Sequence, residues 1–267
     1  MRFVSSLIAA IALVLVIAAA PMARAASSLA DAYAVIATKQ RVELTHAFGP
    51  DTPVWHGFGQ AAMAAAADPL SHRPYTIEEH GFRTTFYAMV GQYGTHIDPP
   101  AHFDAKGVTM DDIPLDEMLL PLVVFDITPL LGTDPNHALT VADIQAWEKA
   151  HGPVPKRAFA ALRTDMGRDF DSNPARFKRA PFPGWSLAAV KYLFEQRAIT
   201  AIGHESLDTD ASEDFAAEAW LLKHGHWQIE ALANLDQVPP SGALIAVTWP
   251  KVKRGFGFPA RAYAILP

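Results

Sequence analysis

The chain of 267 residues contains no cysteine. That excludes disulfides, thiolate zinc sites and cysteine nucleophiles, and leaves His, Asp, Glu, Gln and water to hold any metal. It also lacks a long run of one charge: 22 Lys and Arg stand against 28 Asp and Glu, for a net charge of −6. The basic footprint of a nucleic-acid binder is therefore missing. No apolar run after residue 25 is long enough to cross a membrane. Several common enzyme signatures are absent as well. There is no Gly-x-Ser-x-Gly elbow, P-loop or dinucleotide fingerprint. The segment His204-Glu205-Ser206-Leu207-Asp208 opens like a zincin helix but ends in Asp where the second His belongs.

The first residues read as a secretory signal peptide. Arg2 supplies the positive start, Leu7 to Ala20 is apolar, and Ala23-Arg24-Ala25 is a small-x-small cleavage pattern. The boundaries expected are a signal over residues 1–25 and one domain over 26–267. The mature protein is then secreted or periplasmic, with no membrane contact after cleavage. Hydrophobic residues make up 50% of the chain, enough for a substantial core.

Apolar β-branched stretches alternate with helical ones, which predicts a single α/β domain. Strands are expected at 41–46, 121–127, 159–164, 198–203, 226–232 and 243–248, and in the second half of 75–90, leading into residue 92. Residues 61–67 are bland, a helix or a flexible loop. Helices are expected at 26–38, at 140–150 and from Ser186 to Arg197. Thr140 with Asp143 has capping-box spacing, and Ser186 can cap the third. Asp210 and Glu213 have the same spacing before a helix ending near Lys223.

The densest chemistry lies in Gln92-Tyr93-Gly94-Thr95-His96-Ile97-Asp98-Pro99-Pro100-Ala101-His102-Phe103. Two imidazoles and a carboxylate fall within seven residues, the ligand types of a divalent metal site. His96 and Asp98 leave one face of an extended segment, and the prolines then let a turn bring His102 back. Farther along, His226, Gln228 and Glu230 alternate with Trp227, Ile229 and Ala231, so Gln228 and Glu230 share a face. His204 sits at the end of an apolar strand, where α/β folds place functional groups.

The pattern Gln-x-Gly-Thr-His-x-Asp-x-Pro-x-His resembles the signature of the cyclase family, which includes kynurenine-formamidase-like and isatin-hydrolase-like metal hydrolases. Supporting blocks are Thr52 to Trp55, Phe182 to Gly184, Gly203 to Asp208 and Trp227 to Pro239. The resemblance implies a swivelling β/β/α fold, a divalent metal and hydrolysis of an amide-like C–N bond. Carried across by motif, His96, Asp98 and His102 are metal-site residues and Glu230 matches a family ligand. Two departures matter. Two-metal members begin the motif with His where this chain has Gln92, and they have a second His where the spacing puts Glu218. One manganese or zinc ion is therefore expected rather than two, with Gln92, Gln228 and Glu230 as further candidate ligands. Oxygen donors tilt the choice toward manganese.

His102 and His204 are the candidate proton carriers, with His102 open as ligand or base. Trp55, Phe103 and Trp185 are the candidate substrate contacts and motivate a small aromatic amide. Family analogy implies a homo-oligomer, dimer or tetramer. A cyclase or dehydratase, or a non-catalytic metal-binding protein, are the alternative readings.

Overall fold

The computed structural model describes residues 28–212 and 214–267; the signal-peptide expectation and Glu213 lie outside the described residues. Ser28 caps helix α1 (Leu29–Ala37) through a complete capping box with Asp31. This helix belongs to a unit that ends at Thr38, and the rest of the fold is a second unit, Lys39–Pro267.

The second unit opens with strands β1 (Arg41–Glu43), β2 (Ala62–Ala65), β3 (Thr85–Ala88), β4 (His96–Asp98) and β5 (Leu119–Asp126). Short β6 (Ala138–Leu139), β7 (Phe159–Arg163), short β8 (Gly184–Trp185), β9 (Ala201–His204) and β10 (Trp227–Glu230) follow. Then come β11 (Ala243–Thr248), β12 (Phe258–Pro259) and β13 (Arg261–Ile265). The helices are α2 (Ile77–His80), α3 (Thr128–Leu131), α4 (Val141–His151), α5 (Asp169–Ser172), α6 (Pro174–Phe177), α7 (Leu187–Arg197) and α8 (Ala216–Lys223).

Nine strands form one sheet in the order β1-β13-β11-β5-β7-β9-β10-β4-β12. Its middle strands, β5-β7-β9-β10, run parallel. Parallel neighbours need crossovers, and α4, α7 and α8 lie in the three connections. The strands are apolar on both faces because both are covered. Leu122, Val124, Phe159, Ala161, Trp227 and Ile229 face one core, shared with β11 and β13. Val123, Phe125, Ala160, Leu162 and Ile202 face the other, against α4, α7 and α8. Each large apolar side chain so buried stabilises the fold by about 1.5–3 kcal/mol.

Two helix starts follow the sequence, while α8 departs from it, with Phe215 rather than Asp210 at its N-cap. Thr140 and Asp143 form the reciprocal box at α4, and the Ser186 hydroxyl accepts from Ala189 N at α7. At α8 the Asp210 carboxylate reaches forward to accept from Ala217 N at 2.7 Å and Glu218 N at 3.0 Å.

The segment before the cradle differs from expectation. Residues 62–65 are a strand, not a helix or loop, and they pair with β3 in a separate two-stranded sheet. β3 does not run on into β4. The Cα of Gly91 packs on the carbonyl of Gly257, where a Cβ would lie 2.2 Å from the oxygen, and Gly94 has φ +62°. The chain therefore bends twice between the hairpin and the cradle.

Candidate metal centre

The pairing of β4 with β10 makes the site. It is antiparallel, with Gln228 opposite Asp98, Ile229 opposite Ile97 and Glu230 opposite His96. Side chains opposite each other share a face, so His96, Asp98, Gln228 and Glu230 all leave the sheet together. Ile97 and Ile229 point the other way into the core. Thr95 pins the start of β4 by donating its hydroxyl to the Ala231 carbonyl at 2.7 Å.

On that face His96 Nε2 lies 3.5 Å from Asp98 Oδ2 and 3.5 Å from Glu230 Oε2. The three candidate donor atoms lie within 4.8 Å of one another. His96 Nδ1 is 2.9 Å from the Gly94 carbonyl. A carbonyl only accepts, so the proton sits on Nδ1 and the Nε2 lone pair faces the two carboxylates. A lone pair and two carboxylates converging in a buried space call for a cation. Separations of about 3.5 Å between His96 Nε2 and each carboxylate also suit donors that share one small divalent ion. The residues fit a divalent metal.

Without a metal, a proton takes the cation's place on Nε2. Burial alone would lower His96, but Asp98 and Glu230 outweigh it and raise its pKa to about 9. Burial resists ionisation of Asp98, yet His96 and His102 hold it down at about 2. Glu218, on α8, is pushed well above the usual carboxylate range by burial and then by Glu230 and Asp98. Asp208 is raised to about 8 by burial and the charge of Glu230. A site that raises its imidazole and two of its four acids, Asp208 and Glu218, is short of positive charge.

Two expected ligands are corrected. Gln228 presents its amide nitrogen to the cluster, donating to Asp98 Oδ2 at 3.2 Å and to Glu218 and Glu230 at 3.1 Å. Its oxygen is taken by the Thr209 hydroxyl at 2.6 Å. Gln92 likewise points nitrogen inward, 3.2 Å from Asp98 Oδ1, because the same nitrogen donates to the Phe256 carbonyl at 2.7 Å. Both amides clamp carboxylates here and offer the ion no oxygen. Gly257 makes room for the second clamp: a Cβ there would sit 2.0 Å from Gln92 Nε2.

His102 stands on a single 3₁₀ turn, Pro100–His102. Its Nε2 is 3.9 Å from Asp98 Oδ1, its Nδ1 is 3.4 Å from Gln92 Nε2, and its side chain is 26% exposed. It sits beside the cluster, toward the opening.

His204 is also corrected. It is fully buried and does not line the cavity. Its Nε2 lies 3.4 Å from Glu230 Oε1, on the side away from the opening, without hydrogen-bond alignment. The parallel strands β7 and β10 flank β9 to its end, so His204 never reaches a surface. Glu205 turns aside to accept from Thr164 N at 2.6 Å, and burial raises its pKa to about 7.

Above the cluster is a cavity of about 400 Å³. Its floor includes His96, Asp98, Glu218 and Glu230, and its walls are Trp55, Phe58, Phe103 and Phe215. Trp55 and Phe103 thus stand where a substrate contact is expected. Trp185 does not: it is 1% exposed, packed edge-on to Phe125 in the helix-side core. β8 pairs with β6 and carries it away from the cavity. Phe58, Asp208 and Phe215 line the cavity in addition to the expected residues. Asp208 and Phe58 have a signal in the sequence, in the block ending at Asp208 and in the aromatic three residues after Trp55. Phe215 has none, since its place depends on a left-handed backbone (φ +52°) ahead of α8.

The family profile described as putative cyclase matches residues 42–211. The chain belongs to the cyclase family. It is 28% identical over 246 residues to isatin hydrolase of Roseibium aggregatum, covering 85% of this chain and 91% of that protein. It is 28% identical over 166 residues to kynurenine formamidase of Paracidovorax citrulli, covering 57% and 65%. Among solved structures, isatin hydrolase A from Labrenzia aggregata bound to benzyl benzoate superposes with a TM-score of 0.79 at 29% identity. That superposition covers 90% of this chain and 99% of the other. The α/β architecture with its curled sheet is thus the fold of this cyclase family, as the motif implied.

Proposed function

We propose that this cyclase-family protein is a metal-dependent hydrolase that cleaves the C–N bond of a small aromatic amide. One observation carries the reading: His96, Asp98 and Glu230 converge on a point at the floor of a cavity walled by aromatic rings. A ring-closed amide such as isatin is the favoured substrate class over an open aryl formamide. Similarity to the isatin hydrolase spans 85% of the chain, and similarity to the formamidase 57%.

One ion held by His96, Asp98 and Glu230 fits the donors, and two oxygen donors beside one imidazole favour manganese over zinc. A divalent ion bound there would lower the pKa of a water toward about 7 and polarise an amide carbonyl. The chain's own residues do the rest. Trp55, Phe58, Phe103 and Phe215 hold a planar ring over the floor and shed its water. Gln92 and Gln228 fix the carboxylates. His102 takes the proton from the attacking water and returns it to the leaving nitrogen. His204 touches no substrate in this scheme and supports Glu230 from behind.

Elemental analysis of purified protein, with isatin and N-formylkynurenine turnover before and after chelation and metal add-back, tests this. Full activity after exhaustive chelation would sink it. Export is part of the proposal, on the strength of Arg2, the apolar run and Ala23-Arg24-Ala25; a mature protein whose N-terminal residue is not Ala26 contradicts the cleavage site. We also propose a homo-oligomer. All four residues of β3 are exposed, Phe86 and Tyr87 at 57% and 55%, and an isolated two-stranded hairpin is marginal in water. Light scattering of a monomer at micromolar concentration overturns that.

A further inference from the structure

The end of α6 and the loop that leads on to β8 carry a basic run, Arg176-Phe177-Lys178-Arg179, in a chain of net negative charge. Phe177 is buried and anchors it. Two of its cations, Arg176 and Arg179, edge a cleft of about 530 Å³. Asn136 stands on another segment of the rim, and Leu131, Pro135, Met166 and Pro183 supply apolar lining. Arg176 is 3.0 Å from Asp169. Arg179 has no ion pair among the described residues. The polar floor is already committed, since the Thr164 hydroxyl donates to Glu205 at 3.2 Å and accepts from Met166 N. Free polar capacity therefore lies at the rim, in one guanidinium and one amide.

The cleft adjoins the metal centre through a hollow of about 320 Å³. That hollow shares Trp55, Asp208 and Phe215 with the catalytic cavity, and Ala180 and Pro181 with the cleft. The two ends differ in sign. Among the described residues, the cavity is lined by four carboxylates, Asp98, Asp208, Glu218 and Glu230, and by no Lys or Arg. The cleft is lined, among the described residues, by two arginines and no carboxylate. A neutral ligand is tolerated at the first end, and an anion is favoured at the second.

We propose that this cleft is a second binding site, for a small carboxylate with an apolar body. Opening an amide releases that class of product, so its identification as a product site rests on the hydrolase reading; the binding itself does not. Arg179 supplies the charge, Asn136 a second donor, and the proline and leucine surfaces take the ring.

Calorimetric titration of the metal-loaded protein with benzoate tests it. Two classes of site are expected, one at the metal and one in the cleft. Arg179→Glu should weaken the cleft class on the order of tenfold or more, the loss of one charge-assisted contact. Arg179→Lys should retain it. Asn136→Asp, a change on the other segment of the rim, should weaken the same class, so a folding defect in one variant does not decide the matter. Benzamide, uncharged and of the same shape, should miss the cleft. A single class in the wild type, two classes unchanged by Arg179→Glu, or benzamide filling the cleft as well as benzoate overturns the proposal. Absence of turnover in the wild type would sink the hydrolase reading and leave this result standing.

Discussion

On the floor of the cavity, His96, Asp98 and Glu230 stand on paired strands and are 3%, 1% and 6% exposed. On its wall, Trp55, Phe58, Phe103 and Phe215 stand outside the strands and are half-buried. The floor is held by sheet register and amide clamps, so its geometry is tied to the core. The wall is held by ring contacts, such as Trp55 on Phe58 at 5.2 Å and Phe103 toward Phe215 at 6.4 Å. Such a division lets the wall change what fits without disturbing the donors below it.

The most direct way to break that division is Glu230→Gln. It keeps shape and removes a ligand charge, and it should strip the metal and abolish turnover. The loss should exceed the roughly 10–100-fold that removal of a supporting residue costs. Retained metal, measured by elemental analysis, would remove Glu230 from the floor. His102→Ala comes next, with kcat lower by about 10²–10⁴ and metal content unchanged. Metal lost along with activity would make His102 a ligand. Gln92→Leu keeps the donors and frees Asp98; metal affinity should fall by roughly 10–100-fold. Unaltered affinity would deny the clamp any role. Phe215→Ala tests the wall: KM for an aromatic amide should rise by about tenfold, one ring contact, with kcat and metal content little changed. A fall in kcat alone would move Phe215 from wall to floor.

The smallest effect is on stability. In the metal-free protein Asp208 and Glu205 titrate near 8 and 7, against ordinary values of 3.8 and 4.5. The folded state holds their protons longer than the unfolded chain, so their contribution is full below pH about 4 and is lost as pH rises toward 8. His96, raised to about 9, adds a loss in the same direction above its ordinary 6.5. Asp98 acts oppositely, but only as pH falls below 4 toward about 2. Scanning calorimetry in chelator should show Tm falling between pH 5 and pH 8, and added divalent ion should restore more at pH 8. A flat or rising metal-free profile would show that the floor carries no such charge deficit.

Much of the floor is legible in the sequence. Ligand types two residues apart on β4, and the period-two alternation of β10, are enough to place His96, Asp98, Gln228 and Glu230 on shared faces. The direction in which an amide points is not legible. Gln92 is turned by the Phe256 carbonyl, 164 residues away. His204 departs from expectation for a related reason: the end of a strand is a surface only if its neighbours stop there too, and β7 and β10 continue. The parallel core strands and the caps at Thr140 and Ser186 are readable because they rest on local pattern. β3 lies within the stretch expected to be a strand, but β2 is not readable, since it is exposed and almost all alanine and carries no apolar alternation.

The β4–β10 pairing also bears on when the site comes into being. Asp98 and Gln228 are 130 residues apart in the chain and meet only as adjacent strands. Neither half holds the full donor set, so a nascent or partly folded chain offers a metal nothing better than scattered ligands. Closing a loop of that length is slow and comes late. Metal capture is therefore a terminal event of folding, and the ion acquired is the one available where folding finishes. If the proposed export precedes folding, the compartment in which folding ends would set the metal.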